Sequence, residues 1–398
     1  MVAFRRHDAA VSPGRRPRPS RQQAVRRRRL AVLATAVVAL LAGVVVGAGS
    51  GSPERAAEAP RRAGGAAAAP APAPARLPLA EQVGQLVVLR FAGTSAPAYV
   101  RRALRRNRVA GTILFRDNAT SPGQLRGLVR SLRAAAGARV PLICVDQEGG
   151  AIRILPWAPP TAAQPDQAAA GRVAADARAA ADALRRTGVN VALAPVADVP
   201  DVSGSAIAGR EFAADPEAAA GEVGAAVRGW RAGGVLPTLK HFPGLGGATV
   251  NTDFGSATIA RTREALGEDL VPFRAGIAAG APLVMLSHAV YPALDPDHIA
   301  SQSPAIARDL LRGELGFKGV AITDSLEAGA VRAVTPDPGA AALASIEAGA
   351  DLILTTGRGS YIHVFRALLA KAHADPAFRA RVVEAAGRVV RLRALASR

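Results

Sequence analysis

Residues 141–150 read PLICVDQEGG. The run Leu142–Val145 is apolar at every position, so a strand here must be buried on both faces, as in a parallel sheet covered by helices. It then stops at Asp146, Gln147 and Glu148, followed by two glycines. The same grammar recurs along the chain. Short apolar, β-branched runs occur at Gln85–Phe91, Gly111–Phe115, Leu142–Asp146, Val191–Pro195, Leu236–Phe242, Leu283–His288, Gly319–Asp324 and Asp351–Thr355. Segments with helical periodicity lie between them, among them Ala168–Thr187, Pro216–Ala232, Thr262–Ala279 and Pro304–Leu315. Eight strand–helix units in about 320 residues predict an α/β fold of the (β/α)8 TIM-barrel type. A doubly wound open sheet is the alternative, because periodicity does not show closure. No Gly-x-Gly-x-x-Gly follows the first strand, which argues against a dinucleotide fold. No solenoid-type repeat is present.

Working outward to the N-terminus, residues 1–29 hold ten arginines and one acid, Asp8. They are read as a basic cytoplasmic or signal n-region. Nineteen uncharged residues follow, Leu30–Ala48 (LAVLATAVVALLAGVVVGA). As a helix they reach about 28 Å, against about 30 Å of hydrocarbon in a bilayer. Positive charge before the span predicts a cytoplasmic N-terminus and an exported body. Residues 30–48 are therefore expected to be a transmembrane anchor or the h-region of a cleaved signal. Residues 49–77, rich in Gly, Ala and Pro with an alternating Ala-Pro stretch, read as a disordered, extended linker. The folded domain is expected over 78–398, at the cell membrane on its outer side, or secreted if the segment is removed.

The chain carries 50 Lys and Arg against 31 Asp and Glu, a net charge of +19, of which residues 1–29 supply +9. Only three of the basic residues are lysine: Lys240, Lys318 and Lys371. Aromatics are 4% and no nucleic-acid motif accompanies the charge, so no nucleic-acid partner is expected. The single cysteine, Cys144, excludes intrachain disulfides and cysteine-based metal sites. Membrane contact is expected through the N-terminal segment only, and the body is expected to be monomeric.

In such a barrel the chemistry sits where strands end, at one mouth. The predicted strand ends carry Asp146-Gln147-Glu148, Asp198 with Arg210 in the loop beyond, Lys240-His241, Ser287-His288 and Thr323-Asp324-Ser325. Each has a duller reading. Strand-end aspartates such as Asp146 and Asp324 commonly cap the next helix. Glycines permit special backbone angles, and His288 fits a satisfied core position. As a set, carboxylates, Lys, Arg and His around a cup suit a polyhydroxylated ligand held by charge-assisted hydrogen bonds. Retaining glycoside hydrolysis needs a carboxylate nucleophile and an acid/base partner. Metal hydrolysis competes, but no His-x-His or His-Glu-x-x-His pair is present. No metal or other cofactor is expected.

These segments resemble family 3 glycoside hydrolases, in particular the single-domain β-N-acetylhexosaminidases of bacterial cell-wall turnover. The resemblance rests on GTILFRDN (111–118), PLICVDQEGGAIRIL (141–155), NVALAPVADV (190–199), KHFPG (240–244), SHAVYPALD (287–295) and LLRGELGFKGVAITDSLEAGAV (310–331). It implies a retaining enzyme that removes terminal β-linked N-acetylglucosamine through a covalent glycosyl-aspartate. It also implies Asp324 as the nucleophile, and Asp146, Arg210, Lys240 and His241 as the residues binding the sugar's hydroxyls.

The family takes its acid/base from an Asp-x-His pair on a loop after KHFPGHG. Here that loop reads KHFPGLGGATVNTDFG (240–255), with Leu245 for the histidine of PGHG, Asn251 for the aspartate and Asp253 for the acid/base histidine. An imidazole of pKa about 6.5 shares a proton at neutral pH, whereas a solvated aspartate of about 3.9 is ionised. Asp253 can act as the acid only if burial or the charge of Asp324 raises its pKa. Three outcomes follow: a working glycosidase using Asp253 or another acid such as Glu148, a slow enzyme that needs a good leaving group, or a catalytically silent sugar-binding protein.

Overall fold

Eight parallel strands close on themselves in chain order in the computed structural model, which describes residues 76–397. They are β1 (Val87–Arg90), β2 (Gly111–Ile113), β3 (Leu142–Val145), β4 (Val191–Ala192), β5 (Leu236–Phe242), β6 (Leu283–Leu286), β7 (Val320–Ser325) and β8 (Leu352–Thr355). Each strand pairs with the next, and β1 pairs with β8, where Val88 faces Leu354. The open-sheet alternative is thereby excluded. The predicted basic segment 1–29, the span 30–48 and the linker 49–77 up to residue 75 lie outside the described residues. No helix among the described residues is long and apolar enough to cross a membrane.

The unbroken apolar character of the strands has a direct cause. Side chains alternate between two buried surfaces. Val88, Ile113, Cys144, Val191, Met285 and Ile322 point to the barrel axis and pack on one another. Val87, Leu89, Ile143, Ala192 and Val284 belong to the larger cluster between sheet and helices. The C-terminal helix Pro376–Leu395 closes the N-terminal end of the barrel. Its Val389 and Leu392 join the inner cluster, and Arg393 donates from Nε to the Val140 carbonyl, just before β3, at 2.8 Å.

Several helices start on a side-chain cap followed by proline. Ser121-Pro122, Asp215-Pro216, Asp337-Pro338 and Asp375-Pro376 each place an oxygen on the first-turn N–H groups. Proline at the first helical position lacks only an N–H that would have no helical partner, and each cap contributes about 1 kcal/mol. The expected helix Pro216–Ala232 forms as read, and Thr262 caps rather than begins the helix Arg263–Ala278. The expected helix Ala168–Thr187 is instead two, Gln164–Ala169 and Val173–Thr187. Gly171 between them adopts φ +63°, a left-handed turn that ends a right-handed helix. The strand readings run one to three residues long at several ends. Gln85 and Leu86 belong to the turn after the first helix, and Leu193–Pro195 continue from β4 without a ladder.

Asp351, fully buried before β8, accepts from Arg381 at 2.8 Å, Arg388 at 3.0 Å and Arg312. Removing that carboxylate leaves three guanidinium groups without their shared partner. Asp351→Ala should lower unfolding free energy by about 3 kcal/mol, read as a fall in the urea midpoint. A midpoint within error of the parent's would mean the arginines are held by solvent instead.

Candidate active site

The mouth at the C-terminal strand ends opens into a cavity of about 510 Å³. Its floor is the top of the inner apolar layer, with Ile113, Leu193, Met285 and Leu354, and its walls are polar. All six residues singled out from the sequence line it: Asp146, Arg210, Lys240, His241, Asp253 and Asp324.

Asp146 ends β3 and does not cap a helix. It accepts from Lys240 Nζ at 2.8 Å. Glu148, two residues on in a short hairpin, points to the same side because side chains alternate with period two. Its Oε1 lies 2.5 Å from Lys240 Nζ, and its carboxylate takes a two-point bond from Arg210, Nε at 3.0 Å and Nη2 at 2.8 Å. Burial works against the Glu148 charge, but Lys240 and Arg210 outweigh it and bring the pKa down to about 2. Glu148 is thus an acceptor bonded to two cations, an environment opposite to the one that the alternative proton donor considered from the sequence requires. Lys240 stays charged: burial opposes the ammonium, and Asp146 and Glu148 more than offset it.

His241 follows Lys240 on β5, and the peptide between them is cis. The β5–β6 register shifts between Leu239 and Phe242, and irregularities of this kind re-aim side chains. Both Lys240 and His241 consequently line the cavity. Asp198 orients the imidazole from behind. Nδ1–H donates to Asp198 Oδ2 at 2.7 Å, leaving Nε2 as the cavity-side nitrogen, while Oδ1 accepts from the backbone N–H of His241 and of Leu245. Tyr291 supports the same turn, donating to the Gly244 carbonyl at 2.8 Å.

Asp324 sits near the end of β7 and accepts from the Ser325 N–H at 2.7 Å. The next helix, Gly329–Val334, is not capped by it. Burial disfavours its charge, yet His241, His288, the Ser325 N–H and Lys240 outweigh burial and hold its carboxyl below the usual range. His288 is the satisfied core histidine of the plainer reading. Its Nε2–H donates to the Ser325 carbonyl at 3.0 Å, and Nδ1 accepts from Ser301 Oγ at 2.8 Å. Burial lowers its basicity, and its two bonds brace the strand end carrying Asp324. Glu327, Ser325 and Thr356 form a further bonded cluster in that wall.

Asp253 lies on the loop after β5, with its outer side exposed. Burial on the cavity side and then the Asp324 charge push its carboxyl up, against the pull of His241, His288 and Arg210. This is the direction its use as a proton donor requires. Asn251 shapes the loop: its Oδ1 accepts from the Asp253 N–H at 2.8 Å. The loop is pinned to the segment after β7, Gly329 N–H donating to the Asp253 carbonyl at 2.8 Å and Ala330 N–H to Thr252 at 3.0 Å. A Cβ at Gly329 would stand 2.4 Å from the Phe254 carbonyl carbon, so only glycine permits the approach. Leu245 is buried, its N–H spent on Asp198.

A closed barrel with a cationic, carboxylate-rich cup and two carboxylates of opposed acidity defines a carbohydrate-processing site. Residues 78–392 match the family described as Glycosyl hydrolase family 3 N terminal domain. The chain is 39% identical over 281 residues to a beta-hexosaminidase of Stenotrophomonas maltophilia (strain R551-3), a match covering 68% of this chain and 82% of that one. The structure superposes with a TM-score of 0.74 on a beta-N-acetylhexosaminidase from Beutenbergia cavernae DSM 12333, at 36% identity, covering 80% of this chain and 99% of that one. A family 3 beta-N-acetylglucosaminidase from Paenibacillus sp. str. FPU-7 gives 0.77 at 33% identity, covering 81% of this chain and 63% of that one. This chain therefore spans about 63% of that enzyme's length. The chain belongs to glycosyl hydrolase family 3 and is a glycosidase, an enzyme that hydrolyses O-glycosyl bonds.

The sequence offers Glu148 as an alternative acid and Asp198 as a strand-end carboxylate, but does not reveal Glu148 as the partner of Lys240 and Arg210 or Asp198 as the brace of His241. Glu148 was legible in outline, because a strand-like Asp-x-Glu puts both carboxylates on one side. Glu148→Gln keeps the shape but removes the charge that Lys240 and Arg210 share. It should raise KM for substrate by about tenfold or more and lower stability by about 2 kcal/mol. Its alkaline pH limb should remain where it was. Disappearance of that limb would reinstate Glu148 as the acid.

Proposed function

We propose that this glycosidase removes terminal β-linked N-acetylglucosamine from glycans of the cell-wall type with retention of configuration. Asp146, Arg210, Lys240 and His241 hold the hydroxyls of the terminal sugar. Asp324 attacks the anomeric carbon, and Asp253 gives its proton to the departing oxygen and later takes one from the attacking water. The observation that carries the reading is the pairing of environments in one cavity. The Asp324 carboxyl is held below its ordinary value, toward the charged form that attack needs, and its charge helps raise the Asp253 carboxyl, toward the acid that donation needs. Two carboxyl groups pushed apart in this way divide nucleophile and acid between them. The relatives named as beta-hexosaminidase and beta-N-acetylglucosaminidase support the choice of sugar. Nothing in the arrangement favours a silent sugar-binding protein.

The proposed setting is the outer face of the cell membrane, with residues 1–29 inside, 30–48 as anchor or signal, 49–77 as tether and 78–398 as the catalytic body. Four arginines directly before an uncharged stretch support this topology. Protease added to intact, outer-membrane-free cells should degrade the body; full protection would place it inside.

The mechanism is tested on an aryl β-N-acetylglucosaminide, whose phenolate leaves unaided, beside N,N′-diacetylchitobiose. Asp324→Ala should abolish turnover of both while sugar binding persists in calorimetry; full activity would remove the nucleophile. Asp253→Asn should cost about 10²–10⁴-fold on the disaccharide and much less on the aryl glycoside. Equal losses on the two would mean Asp253 is not the donor.

The pH profile follows from the two shifts. Rate rises with pH as Asp324 ionises, below its ordinary value, and falls as Asp253 loses its proton, above its ordinary value. The bell should peak on the acid side of neutrality. The pair Asn251→Asp with Asp253→His should carry the alkaline limb up toward about pH 6.5 and retain or raise activity. An unmoved limb would place the titrating acid elsewhere.

A further inference from the structure

Among the described residues, the large hydrophobic side chain most open to solvent is Phe254, 84% exposed. It directly follows Asp253. Its backbone is not loose: Phe254 N–H donates to the Asn251 carbonyl at 2.9 Å, and the residues before it hang on Gly329 and Ala330. Gly329 fits against the Phe254 carbonyl, where no larger residue could. A fixed backbone therefore holds an aromatic ring out in water one residue beyond Asp253, which lines the cavity. Two more exposed apolar side chains belong to these loops, Val250 on the same loop and Val202 on the loop after β4. The two loops are tied together by Ala206 N–H to the Ala248 carbonyl and by Ser205 Oγ to the Gly246 carbonyl, both at 2.7 Å.

The cavity wall carries the ion-paired set, Asp146, Glu148, Arg210 and Lys240. Asp253 lines that charged cup, and the exposed ring of Phe254 follows it directly in the chain. A proton donor must stand beside the glycosidic oxygen, so the group that departs lies just beyond it. A β-linked pyranose has axial C–H bonds on its faces, an apolar surface that an aromatic face can cover.

We propose that Phe254, with Val250 beside it, is the platform for the leaving sugar, a specificity-determining contact on the departing side. The inference rests on Asp253 being the proton donor. It makes the enzyme prefer a ring-bearing aglycone over a small alkyl one, through a contact outside the charged cup.

The test compares kcat/KM for N,N′-diacetylchitobiose with that for methyl β-N-acetylglucosaminide, whose departing methanol has no ring. Phe254→Ala should lower the disaccharide-to-methyl ratio about tenfold, the worth of one aromatic contact. Phe254→Trp should restore it. Leu395→Ala, an exposed apolar side chain on the C-terminal helix, should leave the ratio alone. Equal loss on both substrates, or none on either, overturns the proposal. Thermal unfolding of each variant shows whether any loss comes from the fold. Failure of the donor reading shows separately, as Asp253→Asn turning over the methyl glycoside at the parent rate.

Discussion

A carboxylate buried between an ammonium and a guanidinium holds the mouth of this barrel together. Glu148 on the hairpin after β3, Lys240 on β5 and Arg210 on the loop after β4 meet within 3.0 Å. Each charge is costly to bury alone, and only the shared geometry offsets that cost. The three bridged segments are distant in sequence, so the trio sets how loops of one rim lie against another. Asp146 then adds a second acceptor on Lys240, and the cup becomes a rigid array of donors and acceptors. Such an array suits a neutral ligand covered in hydroxyl groups, whose orientation depends on fixed partners rather than on net charge.

The same environment separates the acidities of Asp324 and Asp253. Both are aspartates with the same intrinsic chemistry. Asp324 is embedded where an N–H donor and cationic groups favour its charge. Asp253 stands on a loop where burial and the charge of Asp324 oppose its own. The charge of Asp324 thus pushes the Asp253 carboxyl toward its acid form. An imidazole would donate at neutral pH without such help. An aspartate in its place needs the coupling, and this site supplies its direction.

The strands were legible because burial on both faces erases polar alternation, and that pattern survives without knowledge of the partners. The helix Pro216–Ala232 was legible from its periodicity, and the Asp215-Pro216 pair that starts it is a local signal of the same kind. The break at Gly171 was not, since a single glycine inside an alanine-rich stretch is compatible with a continuous helix until its φ is known. Site membership of Asp146, Arg210, Lys240, His241, Asp253 and Asp324 could be read from strand-end position and family resemblance. The partner of each could not. Asp198 as the brace of His241, Glu148 as a held anion and His288 as a support of Ser325 all depend on contacts across 37 to 92 residues.

The order of strands and helices, the polar load at strand ends, and an aspartate at position 253 are properties of the primary string. Local pattern and residue identity suffice for them. Closure of the sheet, the opposite shifts of the Asp324 and Asp253 carboxyls, and the exposure of Phe254 beside Asp253 are decided by folding. They are set by desolvation and by distances between groups far apart along the chain, and those quantities exist only once the chain has closed on itself.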